Sequence, residues 1–209
     1  LSTVWGRQEI PLLVDPEGKS IQMLQPWGVV DAILAKKNLG TNRGMARHTV
    51  ALGPGFTAGR DVDAVIETKR GHRLGRIIRE GTAAANTGIP GIIAGYGKER
   101  VIHSDAAGFV YGLVRIGDRV KKGQPMAVLT DVPIPDGMAI TEAMGIPVPA
   151  SLTGLVRGLI RDGYYAPKGF KIADIDPREH EYHNCFTISD KARSLGGAVL
   201  TALLWLGRD

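Results

Sequence analysis

Residues 107–129, AGFVYGLVRIGDRVKKGQPMAVL, and residues 153–175, TGLVRGLIRDGYYAPKGFKIADI, align without a gap at an offset of 46. Gly108 meets Gly154, Val110 meets Val156, Gly112 meets Gly158 and Leu113 meets Leu159. Further on, Arg115 meets Arg161, Gly117 meets Gly163, Lys122-Gly123 meets Lys168-Gly169 and Ala127 meets Ala173. A slip of one residue would turn a strand inside out, so a gapless match of glycines and apolar positions implies two equivalent folded units. Each copy reads as strand, tight turn, short strand, Lys-Gly turn, strand. Such a copy is half of a small barrel, and two halves meeting face to face are expected to leave no free sheet edge.

The rest of the chain is read outward from that repeat. The 28 glycines in 209 residues exceed the roughly 7% of an average protein and fit a β-rich body with many turns. Hydrophobic and charged contents of 44% and 22% are those of an ordinary folded domain. No run approaches the ~18 uncharged apolar residues of a membrane span, and no secretory signal opens the chain. The single cysteine, Cys185, rules out an internal disulfide framework and fits a reducing compartment, so a cytoplasmic location is expected. A net charge of +5 permits anion binding, but the 26 basic residues are spread out and not interleaved with aromatics. That distribution argues for a solvated basic surface and against nucleic acid.

Before the repeat, residues 10–14 and 29–35 read as short buried strands, with a brief helix over 17–24 started at Asp15 and ended before Pro26. Strands follow at 48–52, 62–68 and 74–78. Continuous apolar strands separated by a helix suggest a βαβ-type parallel sheet, whose ligands gather at the carboxyl ends of strands. Residues 81–97 read as a loop. After the repeat comes a polar connector, then a helix capped by Ser189 or Asp190, in which Ala192, Leu195, Val199, Leu200, Leu203 and Leu204 recur at helical spacing. Gly196 and Gly197 inside it signal either close packing against another backbone or simple tolerance. The expected fold class is therefore α+β. An α/β segment with a mostly parallel sheet spans 1–97, the duplicated unit spans 98–178, and the connector and helix, packing back on the body, span 179–209.

The repeat resembles a biotinyl/lipoyl-type barrel, or barrel-sandwich hybrid. Such carriers place Glu-Ala-Met-Lys-Met between their halves and acylate the lysine. Here the segment is Glu142-Ala143-Met144-Gly145-Ile146, and Gly145 has no amine, so no biotin or lipoate is expected there.

Three groups of residues suggest chemistry. Gly53-Pro-Gly-Phe-Thr-Ala-Gly59 could turn backbone amides toward an anion, although it lacks the endings of dinucleotide and phosphate loops. Lys36, Lys37 and Asn38 at one strand end, and Glu67, Arg70 and His72 after another, would converge with that loop if the sheet is parallel. His72 with Glu67 is the one acid–base pair to nominate. His180-x-x-His183-x-Cys185 offers too few ligands to be expected to hold a metal. Cys185, just before the last helix, is a candidate nucleophile, with an inert buried cysteine as the rival reading.

Four segments together are similar to the YqeB-type proteins of selenium-dependent molybdenum hydroxylase maturation. They are residues 30–41 (VDAILAKKNLGT), 51–68 (ALGPGFTAGRDVDAVIET) with Arg70-Gly-His72, 174–178 (DIDPR) and 185–193 (CFTISDKAR). The resemblance implies an accessory protein that helps to build or insert a labile cofactor, with a molybdenum hydroxylase or its maturation factors as partners and a small anionic ligand. It carries over Lys36, Lys37, Asn38, Gly53, Gly55, Gly59, Asp61, Asp63, Glu67, Arg70, His72 and Cys185. The family also has a glycine-rich, nucleotide-binding-like N-terminal region with no counterpart here, and with Leu1 opening the chain an upstream region is expected to be missing. The rival function is a non-catalytic interaction module built on the unmodified barrel.

Overall fold

The computed structural model describes residues 1–88 and 91–208, so two residues of the expected loop 81–97 lie outside the described part. The chain divides into two compact units. One comprises Leu1–Asn86 with the C-terminal helix from Asp190, and the other comprises Thr87–Ser189.

The first unit contains helices α1 (Ser2–Gly6) and α2 (Lys19–Leu24), strands β1 (Gly28–Asp31), β2 (His48–Leu52), β3 (Thr57–Ala58), β4 (Ala64–Ile66), β5 (Ile77–Ile78) and β6 (Gly81–Thr82), and helix α3 (Asp190–Leu206). Its main sheet runs β1-β2-β4-β5; β1 and β4 lie parallel to β2, and β5 is antiparallel to β4. A mostly parallel sheet is what the continuous apolar runs imply, since both faces must be covered. One face of the sheet presents Val50, Leu52, Ala64 and Ile66 to Leu195 and Ala202 of α3. The other packs Ala51 and Val65 with Phe56, Ala58, Val62 and Ala83.

Two sequence expectations fail in this unit. Residues 10–14 form no strand; Ile10 and Val14 are fully exposed, because no neighbouring strand is there to receive them. The crossover helix of a βαβ unit is also absent among the described residues, since α2 precedes β1 and only loop and a 3-10 turn separate β1 from β2. Helix α2 itself starts as expected, with Asp15 accepting hydrogen bonds from the Lys19 and Ser20 amides at 3.0 and 2.7 Å. In α3, a β-carbon on Gly196 or Gly197 would meet nothing within 4 Å, so these glycines are tolerated rather than required.

The second unit holds β7 (Val101–His103), β8 (Gly108–Gly112), β9 (Arg119–Val120), β10 (Pro125–Thr130), β11 (Ile146–Pro149), β12 (Gly154–Leu159), β13 (Tyr164–Ala166) and β14 (Lys171–Asp176). They form two sheets, β11-β10-β8-β13 and β7-β14-β12-β9. The sequence offset of 46 maps one sheet onto the other strand for strand. Phe109 pairs with Thr130 and Val110 with Leu129; at the same offset Leu155 pairs with Asp176 and Val156 with Ile175. The short middle strands are exchanged: β9 of the first copy joins β12 of the second, and β13 of the second joins β8 of the first. The linking hydrogen bonds repeat too, from the Gly117 amide to Val156 O (2.8 Å) and from the Gly163 amide to Val110 O (2.9 Å). One core, including Val110, Met126, Leu129, Val156, Ile172 and Ile175, is drawn from both sheets.

The duplication is therefore real, but the closed barrel is not found. Among the described residues the two sheets stay open, with β11, β13, β7 and β9 at their edges. Strands of two and three residues such as β9 and β13 offer too few backbone groups to bridge from one sheet to the other. Edge strand β11 carries Pro147 and Pro149, which blunt it against further pairing. No helix among the described residues is long and apolar enough to cross a membrane.

Candidate functional site

In the first unit the carboxyl ends of three parallel strands lie along one edge, and the loops that follow them hold most of the residues singled out above. The loop after β1 is fixed by Asp31, whose carboxylate accepts from the Ile33 amide at 3.0 Å and from the Thr41 hydroxyl at 2.6 Å. Asn38 donates to Thr41 O and accepts from the Gly40 amide, both at 2.8 Å, so its side chain is spent on shaping the loop. Leu34 and Lys36 adopt φ of +59° and +66°. Left-handed backbone at two side-chain-bearing residues is held only by firm surroundings, and such strain gathers at functional loops.

The loop after β2 presses on that segment. Gly55 has φ +108°, and a β-carbon there would sit 2.6 Å from Lys37 Cα and 2.8 Å from its N and C. A β-carbon on Gly53 would lie 2.7 Å from Thr68 Oγ1. Lys37, Gly55, Gly53 and the residues after β4 are thus brought together, as the parallel sheet requires. The glycine-rich loop is not a free cradle of amides, however. The Gly53 amide donates to Ile66 O, the Thr57 amide to Asp61 and the Gly59 amide to Val62 O. Asp63 is likewise structural: burial pushes its carboxyl up, but hydrogen bonds from the Thr49 amide and hydroxyl and from Arg43 hold it below the ordinary value.

After β4, Glu67 is buried and both its oxygens are occupied, by the Lys69 amide at 2.7 Å and the Ala84 amide at 2.8 Å. Arg70 forks onto Asp190 at the start of α3, at 2.6 and 3.1 Å, and this guanidinium holds the Asp190 carboxyl at about 2. Next along α3 stands half-buried Lys191. Its pKa is lowered, first by burial and then by the charges of Lys36 and Arg70, against which Glu67 pulls the other way. Lys36 and Arg70 therefore stand near enough to Lys191 to repel its charge, with Glu67 attracting it and Asp190 paired to Arg70. His72 is exposed and shares with Glu67, Arg70 and three further basic residues, Lys69, Arg73 and Arg76, a pocket of about 790 Å³.

Reasoning from sequence missed Lys69, Arg73, Arg76, Asp190 and Lys191. Arg73 and Arg76 had a legible signal, an arginine at every third position from 70 to 79. Asp190 and Lys191 fall within the 185–193 motif, but only the packing of α3 on β2, β4 and β5 brings them to the site. Cys185 belongs to the other unit, on the 3-10 helix Glu179–Phe186, half-buried, its Sγ 4.0 Å from Glu181 O. His180 faces Glu181 at 3.6 Å and the His183 ring lies edge-on to Tyr182. Among the described residues no three His, Cys, Asp or Glu side chains form a group that could hold a metal.

Gly145, where carriers have their lysine, is packed so that a β-carbon would fall 2.2 Å from Leu129 O. The position cannot accept any side chain without moving that strand.

These features define a sheet-rich α+β protein with a cluster of cationic residues at the strand ends. Over 197 residues, or 94% of its length, the chain is 50% identical to the uncharacterized protein YqeB of Escherichia coli K12. It spans 34% of that relative's length. No family model matches the chain. Among solved structures, an aspartoacylase family protein from Mesorhizobium loti aligns with 39% of the chain and 24% of its own at 20% identity and a TM-score of 0.30. The ectoine utilization protein EutE from Ruegeria pomeroyi aligns with 47% and 27% at 17% identity and a TM-score of 0.31. Likeness at that level carries no argument about fold or function.

Proposed function

We propose that this chain is part of an accessory protein for the maturation of selenium-dependent molybdenum hydroxylases, acting by holding an anionic cofactor or substrate group at the carboxyl ends of β1, β2 and β4. The observation that carries the reading is the cationic group of Lys36, Arg70 and Lys191, with Lys37 locked beside it by Gly55. An anion placed there would relieve the mutual repulsion of these cations, of which Lys191 is half-buried. The four motif segments support the particular pathway, and a molybdenum hydroxylase or another maturation factor is the partner expected from it.

The test is to replace Lys37 and Arg70 together with alanine in the complete protein and measure hydroxylase activity in cells. Loss of activity at normal expression is expected; full activity would reject the site.

A second reading, a non-catalytic interaction module, draws on one observation. With both Glu67 oxygens engaged by amides and His72 making no hydrogen bond among the described residues, no acid–base pair is assembled. It predicts unchanged partner capture by the double alanine variant.

A further inference from the structure

The segment between β4 and β5 closes on itself. The Glu67 amide donates to Arg76 O at 2.9 Å and the Gly75 amide to Glu67 O at 2.9 Å. Within it, the Leu74 amide donates to Gly71 O and the Arg76 amide to Arg73 O, both at 3.0 Å. This compact loop presents Lys69, Arg70, Arg73 and Arg76 to one pocket, with His72 beside them. The pocket is also lined by Ile78, Thr82 and Ala83–Ala85, tied to the loop through the hydrogen bond from the Ala84 amide to Glu67.

Four cations face Glu67, and with Asp190 on Arg70 two positive charges are left in excess. The Glu67 carboxylate is already held by two amides, and Arg70 is already paired with Asp190. No carboxylate pairs with Lys69, Arg73 or Arg76 among the described residues. The volume of about 790 Å³ falls within the roughly 300–1,000 Å³ range of small-molecule sites and far exceeds what one phosphate fills. We propose that this pocket binds an organic diphosphate: two linked phosphates on Lys69, Arg73 and Arg76, and the organic part against Ile78 and the three alanines. This rests on the reading of the strand-end face as an anion site, and narrows it to a ligand class and a location. Guanidinium forks match phosphate oxygens in pairs, and a linked diphosphate spans cations that a single phosphate cannot reach together.

Calorimetric titration of the 209-residue chain at low ionic strength with orthophosphate, pyrophosphate and ADP tests it. Pyrophosphate is expected to bind roughly tenfold or more tightly than orthophosphate, the effect of about one additional charge-assisted contact. ADP is expected to bind at least as tightly as pyrophosphate, using Ile78 and the alanines. Arg73→Ala with Arg76→Ala should weaken pyrophosphate roughly tenfold or more, and Arg73→Lys with Arg76→Lys should recover part of the loss. Circular dichroism melting of each variant separates lost binding from lost folding. Equal affinity for orthophosphate and pyrophosphate overturns the diphosphate assignment, and ADP weaker than pyrophosphate overturns its organic half. If Lys36→Ala with Lys37→Ala abolishes pyrophosphate binding while the arginine pair is dispensable, the pocket is wrong and the strand-end reading stands. If none of the three anions binds, both fail.

Discussion

Replacing Gly55 with alanine puts the architecture of the strand-end loops to a quantitative test. Two costs add at this position. Its φ of +108° lies in the region that side-chain-bearing residues avoid, at roughly 1–2 kcal/mol. The new β-carbon would also lie 2.6–2.8 Å from three backbone atoms of Lys37, which cannot rotate away as a side chain would. Displacing a packed backbone costs about 1–3 kcal/mol more. Gly59 provides the control, because it shares the positive φ, at +84°, but its nearest atom is Arg79 O at 4.0 Å. Gly59→Ala should therefore cost only the first contribution, and Gly55→Ala about 3 kcal/mol in all. At ~2–4 °C per kcal/mol for a chain of this size, that is a fall of about 6–12 °C in melting temperature. Trp5, Trp27 and Trp205 are the chain's three tryptophans and all lie in the first unit, so urea unfolding followed by their fluorescence reports on this unit alone. Equal destabilisation by the two substitutions would refute the claim that the loop after β2 is seated on Lys37.

Three further outcomes follow from the packing and charges. Gly145→Ala, with extended φ and a β-carbon 2.2 Å from Leu129 O, should destabilise the second unit by about 1–3 kcal/mol, whereas Gly158→Ala, with 3.8 Å of clearance, should be nearly neutral; hydrogen exchange at Leu129 reads the difference. Asp176 is 1% exposed and bound by Arg178 at 2.8 Å and Arg157 at 3.3 Å, so Asp176→Asn should cost about 3–5 kcal/mol in chemical denaturation. Burial pushes its carboxyl up, but the Arg178 bonds override this and keep its pKa below 3.8; its stabilisation is therefore full above that value and lost as pH falls through the folded one. Asp190 should titrate at about 2 by carboxyl NMR and return toward 3.8 in Arg70→Ala, because the guanidinium supplies the shift; the same sign confines its loss of stabilisation to the window from 3.8 down to about 2.

Much of the candidate site was legible because strand ends announce themselves. The strands expected at 48–52 and 62–68 place Gly53 and Arg70 just past carboxyl ends, and parallel pairing then brings their loops together. Roles were harder to read. Asn38 looks like a ligand donor in sequence, but its amide closes its own loop; Glu67 looks like a base, but two amides hold it. Lys191 reads as an ordinary first-turn residue of a helix, and only the seating of α3 on the sheet makes it part of a cationic group.

The order of apolar, glycine and turn residues, by itself, determined that the second half is a duplication. Side-chain alternation and close-approach glycines are local requirements, written afresh in each copy; Gly108 and Gly154 both lie against the carbonyl that ends the paired strand, that of Thr130 and that of Asp176. Tertiary structure alone decided that β9 and β13 cross into each other's sheet and that the sheets stay open. A strand of two or three residues satisfies its hydrogen bonds with whichever neighbour the folded core presents, and nothing local specifies that neighbour. The same holds for residues 10–14, whose apolar side chains suit a buried strand but have no partner strand to bury them.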